Sequence, residues 1–111
     1  LTSLVLNIKI MIESSNLKLK NGVVEAIKIN LPHALLILIH SKQGCVMCGY
    51  LDMTIANKLG DIAAKVKGVT SIEQTLESSI VDLSDEAQNF DVQLGMSAKR
   101  FLNTIMQEAK K

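Results

Sequence analysis

The sequence predicts an α+β domain with α/β layers: a mixed, mostly antiparallel sheet of about five strands, with three to four short helices packed on it. Three observations carry that prediction. Strand-length runs, alternating or wholly apolar, fill the first half of the chain, and helical periodicity marks its end. Turn and cap residues separate the runs. The order is mainly strands and then mainly helices, with room for one βαβ crossover. At 111 residues the chain reads as a single domain, 1–111. Apolar residues make up 48% of it but aromatics only 3%, so the core must be built from Ile, Leu, Val and Met.

Leu4, Leu6, Ile8, Ile10 and Ile12 alternate with Val5, Asn7, Lys9 and Met11, the pattern of a strand with one buried face. Glu13 to Asn16 reads as a polar break. Residues 17–31 alternate again, interrupted by the turn dipeptide Asn21-Gly22, and Pro32 ends the run because it cannot donate to a ladder. Ala34 to Ile39 is apolar on both faces, as is most of Cys45 to Leu51, and Ser41 to Gly44 between them reads as a hairpin turn. That turn sets a register pairing His40 with Cys45, Leu38 with Met47 and Ile37 with Cys48. Two-sided apolar strands belong in the middle of a sheet covered on both faces. The cover is expected to be helices on each side, or helices on one side and another subunit on the other.

Asp52 is placed to cap a short helix over 53–59, with Ile55 and Leu59 facing inward and Gly60 stopping it. Ile62, Ala64 and Val66 alternate with Ala63, Lys65 and Lys67 as a further strand, the rival being a helix that runs on through Gly60. Thr70 and Ser71, followed by Glu73 and Gln74, make overlapping capping boxes for a helix through Leu76. Ile80, Leu83, Ala87 and Phe90 recur at helical spacing. Ser97 then caps the clearest helix, whose stripe is Ala98, Phe101, Leu102, Ile105 and Ala109.

A formal net charge of +1 supplies no electrostatic reason to expect nucleic acid or an anionic membrane as partner. Lys99, Arg100, Lys110 and Lys111 are the one basic concentration, and the last two, near the helix C-terminus, suit its dipole. No apolar run approaches the roughly 20 residues that cross a bilayer. The first twelve residues lack the charged start of a signal peptide, and two cysteines without a secretory pattern point to a reducing, cytoplasmic setting.

The run Gly44-x-x-Met47-Cys48-Gly49-x-Leu51-Asp52 resembles the signature of the small YunC-like proteins of bacteria and archaea. Gly68-Val69 followed by Ile72 and Leu76, then Gly95-Met96-Ser97, fit the same family in order, as does the upstream Ile29-x-Leu31-Pro32. The resemblance covers roughly residues 27 to 106. Ala98, where the family often has Gly, and Leu94, where it has Val, depart from the pattern, and Cys45 lies outside it. The resemblance implies an α/β domain of unassigned function, so the family's name brings no chemistry with it.

Cys45 and Cys48 look like a redox or metal motif, but in a strand they would lie about 10 Å apart on opposite faces. A disulfide needs Cα atoms within about 7 Å. No metal set and no cofactor is therefore expected within one subunit. Cys48 precedes Gly49 and a helix cap, the setting of an activated thiolate; the plainer reading is a small buried hydrophobe. Asp52 reads as a cap, the rival reading being an assisting acid or base in a catalytic site. Gly95, Met96 and Ser97 open the last helix, where free N–H groups hold anions, although ordinary capping accounts for them too. The His40–Cys45 pair could form a further thiol–imidazole couple, but its place beside a hairpin turn makes an accident of the solvent edge the plainer reading.

Two readings follow. The favoured one is a non-catalytic module, homo-oligomeric (a dimer first) or binding a partner or small anionic ligand, because apolar strand faces outnumber the helices that cover them. The alternative is a small enzyme with Cys48 as nucleophile, Asp52 assisting, and the Gly49 and Gly95-Met96-Ser97 backbone as an anion site. It requires the two helix starts to converge.

Overall fold

The structure, a computed structural model, describes residues 12–49 and 52–109. Among them lie six strands, three α-helices and one 3-10 turn. The strands are β1 (Ile12–Leu19), β2 (Gly22–Leu31), β3 (Ala34–His40), β4 (Cys45–Met47), β5 (Ala63–Lys65) and β6 (Asp82–Leu83). The helices are α1 (Met53–Leu59), α2 (Ile72–Glu77) and α3 (Ala98–Ala109), with the 3-10 turn over Glu86–Asn89. The sheet runs β1-β2-β3-β4-β5-β6, antiparallel throughout except for the parallel β4–β5 pair that α1 connects. This is the expected α+β fold with one βαβ crossover and one strand more than predicted. The strand expected over Leu4–Ile12 lies, apart from Ile12, outside the described residues, as do Tyr50, Leu51, Lys110 and Lys111.

Hairpin turns fix the register. Pro32 and His33 close the β2–β3 hairpin and set Leu31 against Ala34. Ser41 closes the next one: its hydroxyl accepts from Gln43 N–H and Gly44 N–H, and its own N–H donates to Gly44 O. The result is the expected pairing of His40 with Cys45 and Leu38 with Met47. Gly44 itself is a packing requirement. A Cβ there would meet the Ile62 carbonyl oxygen, to which the next residue, Cys45, donates its N–H at 3.0 Å.

One row of the ladder, Ala26–Ile39–Val46–Ala64–Leu83, crosses five strands on the inner face, and all five side chains are buried. α2 and α3 cover this face, adding Ile72 and then Phe101, Leu102, Ile105 and Met106 to one cluster. Each such aliphatic or aromatic burial contributes about 1.5–3 kcal/mol. Ser97 caps α3 as expected, its Oγ accepting from Arg100 N–H at 3.2 Å. Ser71 Oγ caps α2 through Gln74 N–H, while the Gln74 side chain reaches back to Thr70.

Four local expectations are corrected. Glu13 to Asn16 is not a break; these residues continue β1, because polar side chains cost little on an exposed edge strand paired along its length to β2. The β1–β2 loop is Lys20–Asn21, with Gly22 already in β2. Ile80 to Phe90 is not helical. Val81 and Ser84 donate to Lys65 and Ala63 of β5, which draws the chain into β6 before the 3-10 turn. The spacing read burial correctly, since Ile80, Leu83 and Ala87 are all core, but not conformation. In α1 the residue turned inward is Ala56, while Ile55 and Leu59 are 54% and 71% exposed. Asp52 and Gly60 anchor both ends of this seven-residue helix, and that phase presents the small side chain to the interior.

Ser84 is the buried polar hub of the β5–β6 end. Its hydroxyl donates to Asp61 O at 2.7 Å and accepts from Ala63 N–H and Ala87 N–H. Nothing in the sequence pattern marks it.

Candidate functional site

Cys48 follows β4 directly. Its N–H donates to Ile37 O, and its Sγ accepts from Ile37 N–H at 3.4 Å and donates to Leu35 O at 3.7 Å. The thiol thus stands in for a backbone carbonyl at the end of the ladder, and the residue is 5% exposed. It lines a cleft of about 310 Å³ with Ala34, Leu35, Gly49, Gly68 and Val69, beyond the carboxyl ends of the parallel strands. Gly49 has neither a left-handed φ nor any neighbour that a Cβ would meet. Asp52 is a cap: its Oδ1 accepts from Thr54 N–H at 3.0 Å and Ile55 N–H at 3.4 Å, and its side chain does not line the Cys48 cleft.

Gly95, Met96 and Ser97 lie elsewhere. Gly95 adopts φ +91°, a left-handed conformation suited to glycine, and its N–H donates to Ile80 O. Ile80 N–H returns to Met96 O, and Ala98 N–H donates to Ser78 O. At the start of α3 the Ala98, Arg100 and Phe101 amides are therefore already engaged, the last two by Ser97. What remains for an anion comes from side chains. Ser97 lines a groove of about 610 Å³ with Lys20, Lys99, Arg100 and Asn103, and Asp91 and Glu108 at one end. Two of its lining residues are joined, Asn21 N–H donating to Asn103 Oδ1 at 3.1 Å and Asn21 Nδ2 to Asn103 O at 2.9 Å. Cys48 and Ser97 line separate clefts, so the two helix starts do not form one pocket.

The sheet's outer face carries the contacts that sequence reasoning saw only in part. His40 Nε2 lies 2.8 Å from Glu25 Oε1, with 40% and 46% of the two side chains exposed. Glu25 was legible in principle: a turn centred on Pro32-His33 pairs position 25 with position 40. Cys45, next in the same row, is half-buried, and burial followed by the nearby Asp61 carboxylate pushes its thiol above the ordinary value. Both cysteines are free. Among the described residues no group of three or more His, Cys, Asp or Glu side chains is arranged to hold a metal ion. None of the described helices is long and apolar enough to cross a membrane.

Beside the sheet's inner row, an apolar strip crosses the outer face of β1–β4. Its rows are Ile12–Ile29–Leu36 and Ile27–Leu38–Met47, all half-buried except the exposed Ile12. No described helix contributes a covering stripe there comparable to that of α3.

Residues 47–105 match the family described as a domain of unknown function, DUF1805. The uncharacterized protein YunC of Bacillus subtilis (strain 168) is 27% identical over 85 residues, covering 73% of this chain and 84% of its own. The crystal structure of a protein of unknown function, TA1206 from Thermoplasma acidophilum, superposes with a TM-score of 0.82 at 32% identity. That likeness covers 86% of this chain and 93% of the other.

Proposed function

The chain belongs to the YunC-like DUF1805 family, a domain of unknown function, and we propose that it serves there as a non-catalytic module that assembles as a homo-oligomer, a dimer first. The carrying observation is the outer apolar strip. Side chains that alternate out of a central strand are hydrophobic here on both faces, which is the pattern of a sheet covered on both sides. A second copy is the occupant that fits. A two-fold pairing sets like strips against each other, and Glu25 and His40 at the margin hydrogen-bond one another, so neither polar group meets its copy without a partner. The two free thiols suit the reducing, cytoplasmic setting that the sequence suggests.

A small anionic ligand is the second part of the proposal, supported by Lys20, Lys99 and Arg100 around the Ser97 groove. The alternative, a Cys48-dependent enzyme, has less support. That thiol is engaged by two backbone groups, and its cleft includes neither Ser97 nor Asp52.

Light scattering at high micromolar concentration tests the assembly. A mass of twice the chain or more is expected, reverting to the monomer in Leu38→Glu, which charges the middle of the strip. A strict monomer in the unaltered protein overturns the proposal.

A further inference from the structure

We propose that Cys45 is a thiolation site for small disulfides, with His40 as its proton acceptor and Glu25 as the residue that positions His40. The three come from three strands and share one outer row: Glu25 pairs with His40 across β2–β3, and His40 with Cys45 across β3–β4. Cys48 N–H to Ile37 O and Ser41 N–H to Gly44 O mark the hydrogen-bonded positions of that ladder, so His40–Cys45 occupies a non-hydrogen-bonded one. Opposing side chains stand closest at such positions, with Cβ atoms about 4.5–5.5 Å apart.

Glu25 is an acceptor only. In its 2.8 Å contact with His40 the proton therefore sits on Nε2, and in the neutral ring Nδ1 is the base. Access is open on both flanks, through clefts of about 430 Å³ and 330 Å³ that share His40, the second also lined by Cys45. Burial and Asp61 keep the Cys45 thiol protonated at neutral pH, so what its attack needs is a neighbouring base. The other charged groups near the row are Lys42 and Asp61 on the clefts, Lys18 on β1 and Lys65 on β5. The row lies toward the Ser41–Gly44 turn, at the rim of the apolar strip, and does not depend on assembly for its geometry.

The reaction is an exchange. Cys45 Sγ attacks one sulfur of the disulfide while its proton passes to His40 Nδ1, and Glu25 stabilises the imidazolium. The S–S bond breaks, Cys45 keeps one half as a mixed disulfide, and the departing thiolate takes the proton from His40 and leaves as a thiol. The incoming disulfide is the oxidant: Cys45 supplies the electron pair of the new S–S bond, and the departing sulfur keeps the pair of the old one.

The test is incubation of the full chain with oxidised glutathione, with mixed disulfide resolved onto Cys45 and Cys48 by mass spectrometry across pH. Cys45 is expected to be modified in the native protein while Cys48 waits for denaturant. In His40→Gln the rate at neutral pH should fall by about tenfold or more. The rate limb in the range where imidazoles titrate should vanish, and only the rise where the thiol ionises should remain. Glu25→Gln should weaken the same limb, and as a half-exposed, isosteric substitution it is a second variant. Native Cys48 reacting first, or an unchanged pH profile in both variants, overturns the proposal.

Discussion

Cys45 and Cys48 are three positions apart and occupy different chemical worlds. Cys48 is spent on the ladder, donating to Leu35 O and accepting from Ile37 N–H. Cys45 faces the other way, half-buried beside Asp61, and its raised thiol has a consequence for stability. A thiol whose folded pKa lies above its unfolded value contributes stability that is fully present below the unfolded value. That contribution is lost as pH rises through the folded one. Chemical denaturation followed from neutral pH to beyond about pH 8.5, the ordinary thiol value, should show a decline that Cys45→Ser flattens. An identical slope in the variant would mean that the decline comes from other groups. Gly44 is legible from sequence only as a turn residue; that it yields space to Ile62 belongs to the packing.

At the scale of elements, capping and turn chemistry decide where things start and stop, and side-chain contacts decide how they dock. Asp52, Ser71 and Ser97 all cap the helices whose starts they mark in sequence. The β1–β2 hairpin and α3 are joined by the reciprocal Asn21–Asn103 hydrogen bonds, across 82 residues of sequence, and no local pattern announces them. Asn103→Ala should cost about 1–2 kcal/mol in a urea titration, because it removes the acceptor of a half-buried N–H. Asn21→Ala combined with it should cost less than the sum of the two, since the two separate hydrogen bonds tie the same segments and losing either loosens the other. Strict additivity would show that the pair does not couple the elements. Ile80 to Phe90 is the converse case. Its helical spacing is outweighed by four backbone hydrogen bonds that exist only because β5 and the Gly95–Met96 segment lie alongside.

At the scale of the whole molecule, the sheet has one face under α2 and α3 and another whose apolar strip is half-exposed in the single chain. If two copies bury that strip, folding and association are linked by mass action. The thermal midpoint should then rise with protein concentration over two decades, and the rise should disappear in Leu38→Glu. A concentration-independent midpoint, with no larger species in solution, would leave the strip as ordinary half-buried sheet surface. The same global arrangement separates the Cys48 cleft from the Ser97 groove. It also brings Glu25, His40 and Cys45 into one row through the β2–β3 and β3–β4 pairings, which meet at His40.

By itself the sequence determined the class of the fold, the β3–β4 register, the caps, the aliphatic core and the family. All of these depend on spacing and on residue chemistry within a few positions, and alternation, turn dipeptides and hydroxyl or carboxylate caps act at that range. Tertiary structure decided the rest: which face of α1 turns inward, the extended path of residues 80–84, the burial of Ser84, and which cysteine keeps an accessible neighbour that can take its proton. Those outcomes depend on hydrogen bonds and packing between segments tens of residues apart, where a local preference worth a fraction of a kcal/mol yields to a buried polar group that must find a partner.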